Sequence, residues 1–310
     1  MKSKKPLMGL AALLILCFHF YIPFSKNWFE ILISKASYIG VDIFIFVSAY
    51  VLGNSGDINF RSFIKNRIIN IYVPFVIFSI IGMMYNKWSF SKFIDIIIGK
   101  DFFERGGGSF LWYLTGVMII YLMTPVISYI KEKYKWKSFI WLMIIWTLGV
   151  FLIQNILNYK QIFILVNRLP IFLIGFYFKE VVNLKLKKFE WLFDIILLII
   201  GGIIIYKYGT IVRLNKPIID MYYLLAIPLV IAVVRIFEYI YNFIKIKPME
   251  TLGLYSLELY GLQMIFGYKI EIELYKLMHN GFLAFICTVS FLLLASIIFQ
   301  YILRLFKGRV

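Results

Sequence analysis

The sequence predicts an all-α membrane protein, a bundle of about ten transmembrane helices with both termini in the cytoplasm. Of its 310 residues, 62% are hydrophobic and only 16% are charged, a composition that excludes a soluble or disordered chain. Its mean hydropathy is +0.86. The run 195–205 is apolar at every position and the run 291–299 at every position except Ser296, whereas β-barrel strands alternate apolar and polar residues. The spans are therefore predicted to be helices.

Cutting the chain at its polar clusters leaves ten apolar segments, each about long enough to cross the roughly 30 Å hydrocarbon core of a bilayer. The first resembles a signal peptide, but it lacks a small-residue cleavage site and is interpreted as a retained span. No soluble segment reaches domain size, so residues 1–310 are predicted to form one transmembrane domain. The ten segments are 7–25, 36–53, 71–88, 110–130, 138–154, 162–178, 190–206, 218–237, 251–268 and 280–303.

The net charge of +17 would suggest nucleic acid as the partner of a soluble protein, but in a membrane protein it reports topology. With the N-terminus inside, a majority of the 33 Lys and Arg residues fall in cytoplasmic loops, as the positive-inside rule requires. The 87–109 loop runs against this trend, because it places four basic residues outside. We predict contacts with membrane lipids and none with nucleic acid.

His19 is the most informative polar residue of the first segment. It lies 13 residues after Pro6, which on a helix is about 20 Å and places it in the outer half of the membrane. Neutral imidazole accepts a proton from a hydroxyl, which is the task of a general base. Two interpretations stay open: a catalytic base, or a structural histidine that hydrogen-bonds to a neighbouring helix.

Asp42 lies near the start of the second segment. If the first span ends near Ser25 and the second begins near Ala36, His19 and Asp42 each lie about 9 Å below the outer surface. A carboxylate there can fix the tautomer of the imidazole and stabilise the imidazolium. The alternative is an interfacial aspartate with no such partner.

Several motifs occur in order along the chain. The early membrane His is followed by Gly-Val-Asp-Ile-Phe-Ile-Phe-Val-Ser-Ala-Tyr at 40–50, by a basic stretch ending in Asn-Ile-Tyr-Val-Pro at 70–74, and by Leu-Trp-Tyr-Leu at 111–114 with Tyr121 and Pro125. Arg-Leu-Pro-Ile-Phe-Leu-Ile-Gly at 168–175 and Leu-Gly-Leu-Tyr-Ser at 252–256 come later. Together these motifs resemble the acyltransferase 3 family of integral membrane acyltransferases over essentially the whole chain.

The resemblance implies transfer of an acyl group, usually acetyl from cytoplasmic acetyl-CoA, to a hydroxyl of an envelope polysaccharide, a lipid-linked sugar or a related acceptor. It implies an integral protein of the bacterial cytoplasmic membrane, with His19 as the catalytic residue and acyl-CoA as a substrate rather than a tightly bound cofactor. The family usually carries an Arg eleven residues before that His, where this chain has Met8. Asn70 and Val117 also replace charged residues of the family pattern.

A cytoplasmic basic cluster precedes the third span. Arg61, Lys65 and Arg67 suit the phosphates of CoA through charge-assisted hydrogen bonds, although positive-inside topology alone also places basic residues in this loop. Lys5 is a further candidate for the role of the missing Arg. Trp112, at the outer end of the fourth span, fits either the interfacial aromatic belt or the substrate site.

Three polar residues inside later spans complete the candidates for substrate binding. Arg168 lies six residues into its outer end and needs an acceptor such as Asp42, Glu258 or a substrate, or must extend to the interface. Glu258 is the most deeply placed carboxylate. Gln263 stands where many family members carry His, and its amide can orient an acceptor but cannot act as an acid or base.

No metal-ligand cluster and no dinucleotide motif is present. The Gly106-Gly107-Gly108-Ser109 run lacks the rest of a phosphate-binding loop and is interpreted as a flexible outer loop. The main hypothesis is an O-acyltransferase. Its alternatives are a transporter or polysaccharide-export component with the same fold and no acyl chemistry, for which the loss of the Arg at Met8 is the best argument, and a non-catalytic assembly subunit.

Overall fold

A computed structural model describes residues 1, 3–19, 35–55, 59–153, 161–178, 190–208 and 221–306. Within these ranges the chain is helical, and none of them contains a β-strand. The predicted all-α class is therefore confirmed.

The helices are defined here in chain order. They are α1 Lys4–His19, α2 Gly40–Gly53, α3 Phe60–Arg67, α4 Val73–Asn86, α5 Phe90–Ile97, α6 Lys100–Arg105, α7 Trp112–Tyr134, α8 Trp136–Leu152, α9 Phe163–Val166, α10 Leu169–Tyr177, α11 Glu190–Tyr208, α12 Met221–Phe243, α13 Lys247–Leu254, α14 Ser256–Leu262, α15 Tyr268–Met278 and α16 Gly281–Phe306. Short 3₁₀ turns cover Ser37–Ile39 and Gly106–Gly108, and π-helical turns cover Ile68–Tyr72 and Gln263–Gly267.

Each of the ten predicted segments overlaps at least one helix. Among the described residues, four helical stretches are long and apolar enough to cross a membrane, and four shorter apolar helices accompany them. The four are Phe60–Asn86, Trp112–Tyr134, Ala226–Phe243 and Gly281–Leu305. The number of ten spans and the cytoplasmic position of both termini stay predictions. The part of the first segment after His19 lies outside the described residues.

The apolar surfaces of α8 and α16 face outward. Trp141, Ile145 and Leu148 of α8 are exposed, as are Phe291, Leu294 and Ile298 of α16. Helices that are hydrophobic all round and leave large side chains uncovered are typical of contact with lipid. This pattern agrees with an integral membrane protein.

The segment between the third and fourth predicted spans is not a simple loop. Residues 87–109 were expected to be an outer connection, but α5 and α6 form within them and α5 folds back along α4, so that the Tyr72 hydroxyl donates to the Ile97 carbonyl at 3.2 Å. Phe93 and Ile96, one turn apart, are the buried side of α5. The side-chain oxygen of Ser89 accepts from the Lys92 backbone N–H and caps this helix.

Two of the four basic residues of this folded-back segment, Lys100 and Arg105, form ion pairs within it. Lys100 forms ion pairs with Asp95 at 3.3 Å and with Glu104 at 3.7 Å, and Arg105 pairs with Asp101 at 3.4 Å. The hydrogen bond that Lys100 donates to the Asp95 carboxylate raises the pKa of Lys100 above its usual value. Half of the basic residues that ran against the predicted topology are thus paired with carboxylates within one or two turns.

The chain divides into two compact units, which are described separately. The first comprises Met1–Phe44, Lys185–Thr210 and Leu229–Val310, and the second comprises Ile45–Leu184 and Ile211–Pro228.

The first unit is organised around α1. A Cβ added at Gly9 would lie 1.8 Å from the Met249 carbonyl oxygen, and one at Gly253 would lie 1.9 Å from the Lys5 carbonyl oxygen. Only glycine permits this approach of the α1 and α13 backbones, as is common where membrane helices cross at small residues. On another side of α1, a Cβ at Gly40 would lie 2.8 Å from the Ala11 carbonyl oxygen.

One end of this unit collects the residues that the sequence assigns to the cytoplasm. The Ser3 backbone N–H donates to Glu238 at 3.1 Å, and Tyr241 donates from its hydroxyl to the Glu250 carboxylate. Gln300 lies 3.4 Å from the Leu254 carbonyl oxygen. The N-terminal end of α1 and the C-terminal ends of α12 and α16 therefore lie together.

The second unit is held by a crossing of α2 and α10. A Cβ at Gly53 would lie 2.1 Å from the Phe176 carbonyl oxygen, and one at Gly175 would lie 2.7 Å from that of Phe46. Phe172 and Phe176 stack at 5.7 Å between ring centroids and fill the interior beside this crossing.

Candidate functional site

His19 is the last residue of α1. Its ring meets the Phe18 ring edge-on at 5.3 Å, and Phe18 meets Tyr38 in the same way at 5.2 Å. The His19 side chain is half-buried. The imidazole therefore lies in a partly open aromatic environment at the end of the helix that organises the first unit.

The buried face of α1 leads to His19. Ala12, Ile15 and Leu16 are 4%, 3% and 1% exposed, and they precede His19 by seven, four and three residues. These spacings place all four side chains on one face of an α-helix. Met8, eleven residues before His19, continues the same face toward the N-terminus and is half-buried.

Asp42 follows the close approach of α2 to α1 at Gly40, and its side chain is completely buried. Among the contacts within the described residues there is no hydrogen bond between Asp42 and His19, so their predicted pairing stays a prediction. The first turn of α2 stabilises a carboxylate through the helix dipole.

Glu258 lies in the first turn of α14 and is 5% exposed. The Gln300 amide donates to Glu258 at 3.4 Å, and Arg304 donates to the Gln300 side-chain oxygen at 2.8 Å. The carboxylate that the sequence placed deep in a span is therefore linked to the exposed C-terminal end of α16.

Gln263 begins the π-helical turn that follows α14, and it is 4% exposed. It lines a narrow cleft beside α1 together with seven other residues. The space between them does not accommodate a water molecule. The eight lining residues are Ala12, Ile15, Leu16, Phe44, Ser256, Leu259, Tyr260 and Gln263.

In the second unit, Arg168 is completely buried directly before α10. Its guanidinium carbon lies 5.3 Å from the centre of the Trp112 ring, and one terminal nitrogen donates to the Ile164 carbonyl at 2.5 Å. Arg168 therefore does not extend to an interface, and the structure brings two predicted site residues together as a cation–π pair.

Two residues of the glycine run that was expected to be a flexible loop, Gly106 and Gly107, lie close to other parts of the chain, whereas a Cβ at Gly108 would meet no atom within 4 Å. Gly106 has a φ of +56°, and a Cβ there would lie 2.3 Å from the Gln161 carbonyl oxygen. A Cβ at Gly107 would lie 2.5 Å from the end of the Ile164 side chain. Glycine is needed at positions 106 and 107 because the backbone there passes directly over the segment that precedes Arg168.

Arg67, the last residue of α3, lies over two aromatic rings. Its guanidinium carbon lies 4.8 Å from the Phe63 ring and 4.6 Å from the Tyr121 ring, and its buried Nε has no hydrogen-bond partner among the described residues. Arg61 and Lys65 lie on the solvent-exposed face of the same helix. The predicted basic cluster is thus divided, because only Arg67 packs inward.

Two buried polar features escaped the sequence analysis. The Lys131 ammonium donates to the carbonyls of Gly53 at 3.0 Å and Phe176 at 2.7 Å, so it caps the ends of both α2 and α10. Asp194 and Arg235 form an ion pair at 3.2 Å with side chains that are 3% and 15% exposed. The sequence could have indicated the Asp194–Arg235 pair, because an aspartate inside an apolar run needs a partner.

The described residues contain no group of three or more His, Cys, Asp or Glu side chains that would hold a metal ion.

A family model described as an acyltransferase domain, acyltransferase 3, matches residues 7–304. The chain belongs to the acyltransferase 3 family. The family implies membrane acyltransferase activity. Comparisons with curated proteins and with solved structures gave no match.

The match to the family model includes the candidate site residues described above. The match begins at Leu7 and therefore includes the whole α1 face that ends at His19. Asn70, one of the departures from the family motif, is exposed within the π-helical turn Ile68–Tyr72. That turn is followed by Pro74, whose missing N–H removes an α-helical hydrogen bond, and the Val73 N–H bonds instead to the Ile68 carbonyl.

Proposed function

We propose that this protein is an O-acyltransferase of the bacterial cytoplasmic membrane. It transfers an acyl group, acetyl in our proposal, from cytoplasmic acyl-CoA to a hydroxyl of an envelope polysaccharide or a lipid-linked sugar. The observation that carries the proposal is the position of His19, which continues the buried face of α1 and remains half-open at its end.

His19 acts as the general base. Its neutral imidazole takes the proton of the acceptor hydroxyl while that oxygen forms the new ester bond to the acyl carbon. The carbon–sulfur bond of the thioester breaks, and the departing CoA thiolate takes the proton from the imidazolium. Asp42, fully buried in the same unit, stabilises the transient positive charge electrostatically. This role requires no hydrogen bond to His19 in the resting protein.

Arg67 is proposed to bind a phosphate of the donor. The Phe63 and Tyr121 rings hold its guanidinium in place, so little side-chain entropy is lost when an anion binds. Arg61 and Lys65, exposed on the same helix, add positive potential that attracts the polyanionic donor.

Arg168 and Trp112 are proposed to contact the acceptor. A guanidinium suits the oxygens of a sugar or of a lipid-linked phosphate, because it is planar and donates charge-assisted hydrogen bonds. The approach of Gly106 and Gly107 to Gln161 and Ile164 fixes the segment that precedes Arg168 in the second unit.

The test is transfer of radiolabelled acetyl from acetyl-CoA to envelope glycan in membranes that contain the protein. We expect His19→Ala to reduce transfer by at least a hundredfold, because general base catalysis contributes about 10²–10⁴-fold. The matched control is His279→Asn. His279 is exposed and has a φ of +50°, a conformation that asparagine tolerates.

Equal transfer by wild type and His19→Ala, at equal protein levels, would contradict the proposal. Absence of ester formation by wild type, combined with movement of an unmodified glycan across the membrane, would favour the transporter alternative. An effect of His279→Asn as large as that of His19→Ala would show that the loss is not specific to the α1 site.

A further inference from the structure

Helix α15 buries a carboxylate and exposes its apolar residues. Of its eleven residues only Glu271 is buried, at 6% exposure, whereas Tyr268 and Leu277 are 65% and 78% exposed. Among the described residues the Glu271 carboxylate has no hydrogen bond and no ion pair. A carboxylate is almost never buried without a partner, so packing alone does not explain its position.

The backbone before α15 keeps this carboxylate in line with a buried row. Gln263, Gly267 and Glu271 follow one another at spacings of four residues, and all three are buried. In a regular α-helix such a row turns by about 80° around the axis. The π-helical turn Gln263–Gly267 takes up an extra residue and offsets this rotation. No proline occurs within residues 263–271, so the local sequence does not force the turn.

The row faces α1, which runs in the same direction. A Cβ at Gly9 would lie 3.0 Å from the Gly253 nitrogen, and further along both stretches Leu16 lines a cleft together with Gln263. Contacts that advance toward higher residue numbers on both sides show that the two stretches are parallel. The residues that follow Gln263 on this row therefore lie beside the C-terminal end of α1.

Glu271 lies at this end of α1. Its carboxylate is close enough to the Cys17 thiol to interact with it electrostatically, and Cys17 precedes His19 by two residues, or about 3 Å along the helix axis. The Cys17 and His19 side chains are half-buried, whereas the cleft near Gln263 is closed even to water. The unpaired carboxylate is therefore a neighbour of His19 at the accessible end of the α1 face.

We propose that Glu271 binds the acceptor and makes the enzyme select an uncharged sugar as the residue that is acetylated. The proposal rests on the proposed acyltransferase function and deepens it. Glu271 accepts hydrogen bonds from sugar hydroxyls next to the one that His19 deprotonates. Hydroxyl donors satisfy the carboxylate and favour its ionised form. A uronic acid or a sugar phosphate would instead place a second negative charge beside it, which disfavours binding.

The experiment follows radiolabelled acetyl from acetyl-CoA into glycan, in membranes that contain the full-length protein. The labelled glycan is digested to single sugars, and anion exchange separates neutral from anionic products. The substitution Glu271→Gln keeps the size of the side chain and removes its charge. The matched control is Glu273→Gln on the same helix, where the carboxylate is exposed and pairs with Lys276 at 2.8 Å.

We expect wild type to place the label in neutral sugars. Glu271→Gln should lower transfer about tenfold, equivalent to about 1.4 kcal/mol, because hydrogen bonds to a charged acceptor are stronger than those to a neutral one. A larger share of its remaining label should lie in anionic sugars. The purified variant should keep wild-type affinity for acetyl-CoA and unfold at no lower temperature at neutral pH, since no partner is lost. Glu273→Gln should match wild type throughout.

Several results would overturn the inference. Wild-type label in anionic sugars, or equal transfer by Glu271→Gln and wild type, would show that this carboxylate does not select the acceptor. A lower unfolding temperature of Glu271→Gln would reveal a structural partner, weaker binding of acetyl-CoA would assign the residue to the donor, and an equal loss in Glu273→Gln would indicate a general effect of charge. In contrast, a wild-type protein that transfers no acetyl would refute the proposed function itself and this inference with it.

Discussion

The crossing of α1 and α13 gives a sharp prediction for Gly9→Ala. The new Cβ would lie 1.8 Å from the Met249 carbonyl oxygen, whereas ordinary contacts begin at 3.4 Å. Both atoms belong to helix backbones, so the overlap is relieved only when the helices separate by about 1.5 Å, which loosens contacts of the surrounding side chains. Overpacking of this kind costs about 1–3 kcal/mol.

The higher helix propensity of alanine offsets only a small part of this cost. Alanine is favoured over glycine in a helix by up to about 1 kcal/mol, which does not offset a backbone clash. We expect Gly9→Ala to lower the unfolding temperature of the detergent-purified protein by roughly 5 °C, since 1 kcal/mol corresponds to about 2–4 °C in a domain of 150–250 residues. Loss of transfer activity should accompany it, because α1 carries His19.

The matched control is Gly149→Ala in α8, where an added Cβ meets no atom within 4 Å. Its unfolding temperature should be unchanged or slightly higher. The double substitution Gly9→Ala with Gly253→Ala should cost less than the sum of the single ones, because both act on one crossing and the first already separates the helices. A Gly9→Ala protein as stable as Gly149→Ala would refute the reasoning.

Three further predictions concern buried charges. Lys131→Met leaves two helix ends uncapped and should destabilise the protein by about 1–3 kcal/mol. Asp194→Asn leaves Arg235 facing a neutral partner and should cost about 3–5 kcal/mol, more than the double variant with Arg235→Gln. Burial raises the pKa of Glu271, which lies beyond the predicted span 251–268, from its usual 4.5 to about 7. A raised pKa favours folding most below 4.5, so stability should fall as the pH rises through 7.

Thermal unfolding in detergent measures all three. Lys133→Met, an exposed neighbour on the same helix, should be neutral; a Lys131→Met protein of equal stability would argue against the capping role. For the ion pair, a double variant no more stable than Asp194→Asn would contradict the prediction. Glu271→Gln should remove the pH dependence between 5 and 8, and a wild-type protein with flat stability over that range would disagree with it.

The apolar runs in the sequence predicted the helices well, because the thickness of the bilayer, rather than tertiary contacts, sets the length of such runs at about 20 residues. It missed the fold-back of α5 and α6. Those helices have only eight and six residues. Each buries few side chains, such as Phe93 in α5, and a mean hydropathy taken over the length of a span does not detect them.

The positions of some candidate site residues follow from the sequence, and others do not. Helical spacing alone places Met8 and His19 on one face of α1, and the structure shows that the buried residues between them share that face. The Arg168–Trp112 contact joins residues 56 positions apart, a pairing that no local pattern specifies. The capping role of Lys131 could not be predicted from the sequence. Its positive charge is also expected from the positive-inside rule, as it is for the other basic residues nearby.

We propose that an acyl-CoA donor binds despite Met8, and calorimetric titration of the purified protein with acetyl-CoA at one salt concentration tests this directly. We expect saturable binding by wild type that weakens in Arg67→Ala. No binding by wild type, with binding gained in Met8→Arg, would contradict it and would mean that the family's fold has been kept while its donor site was lost.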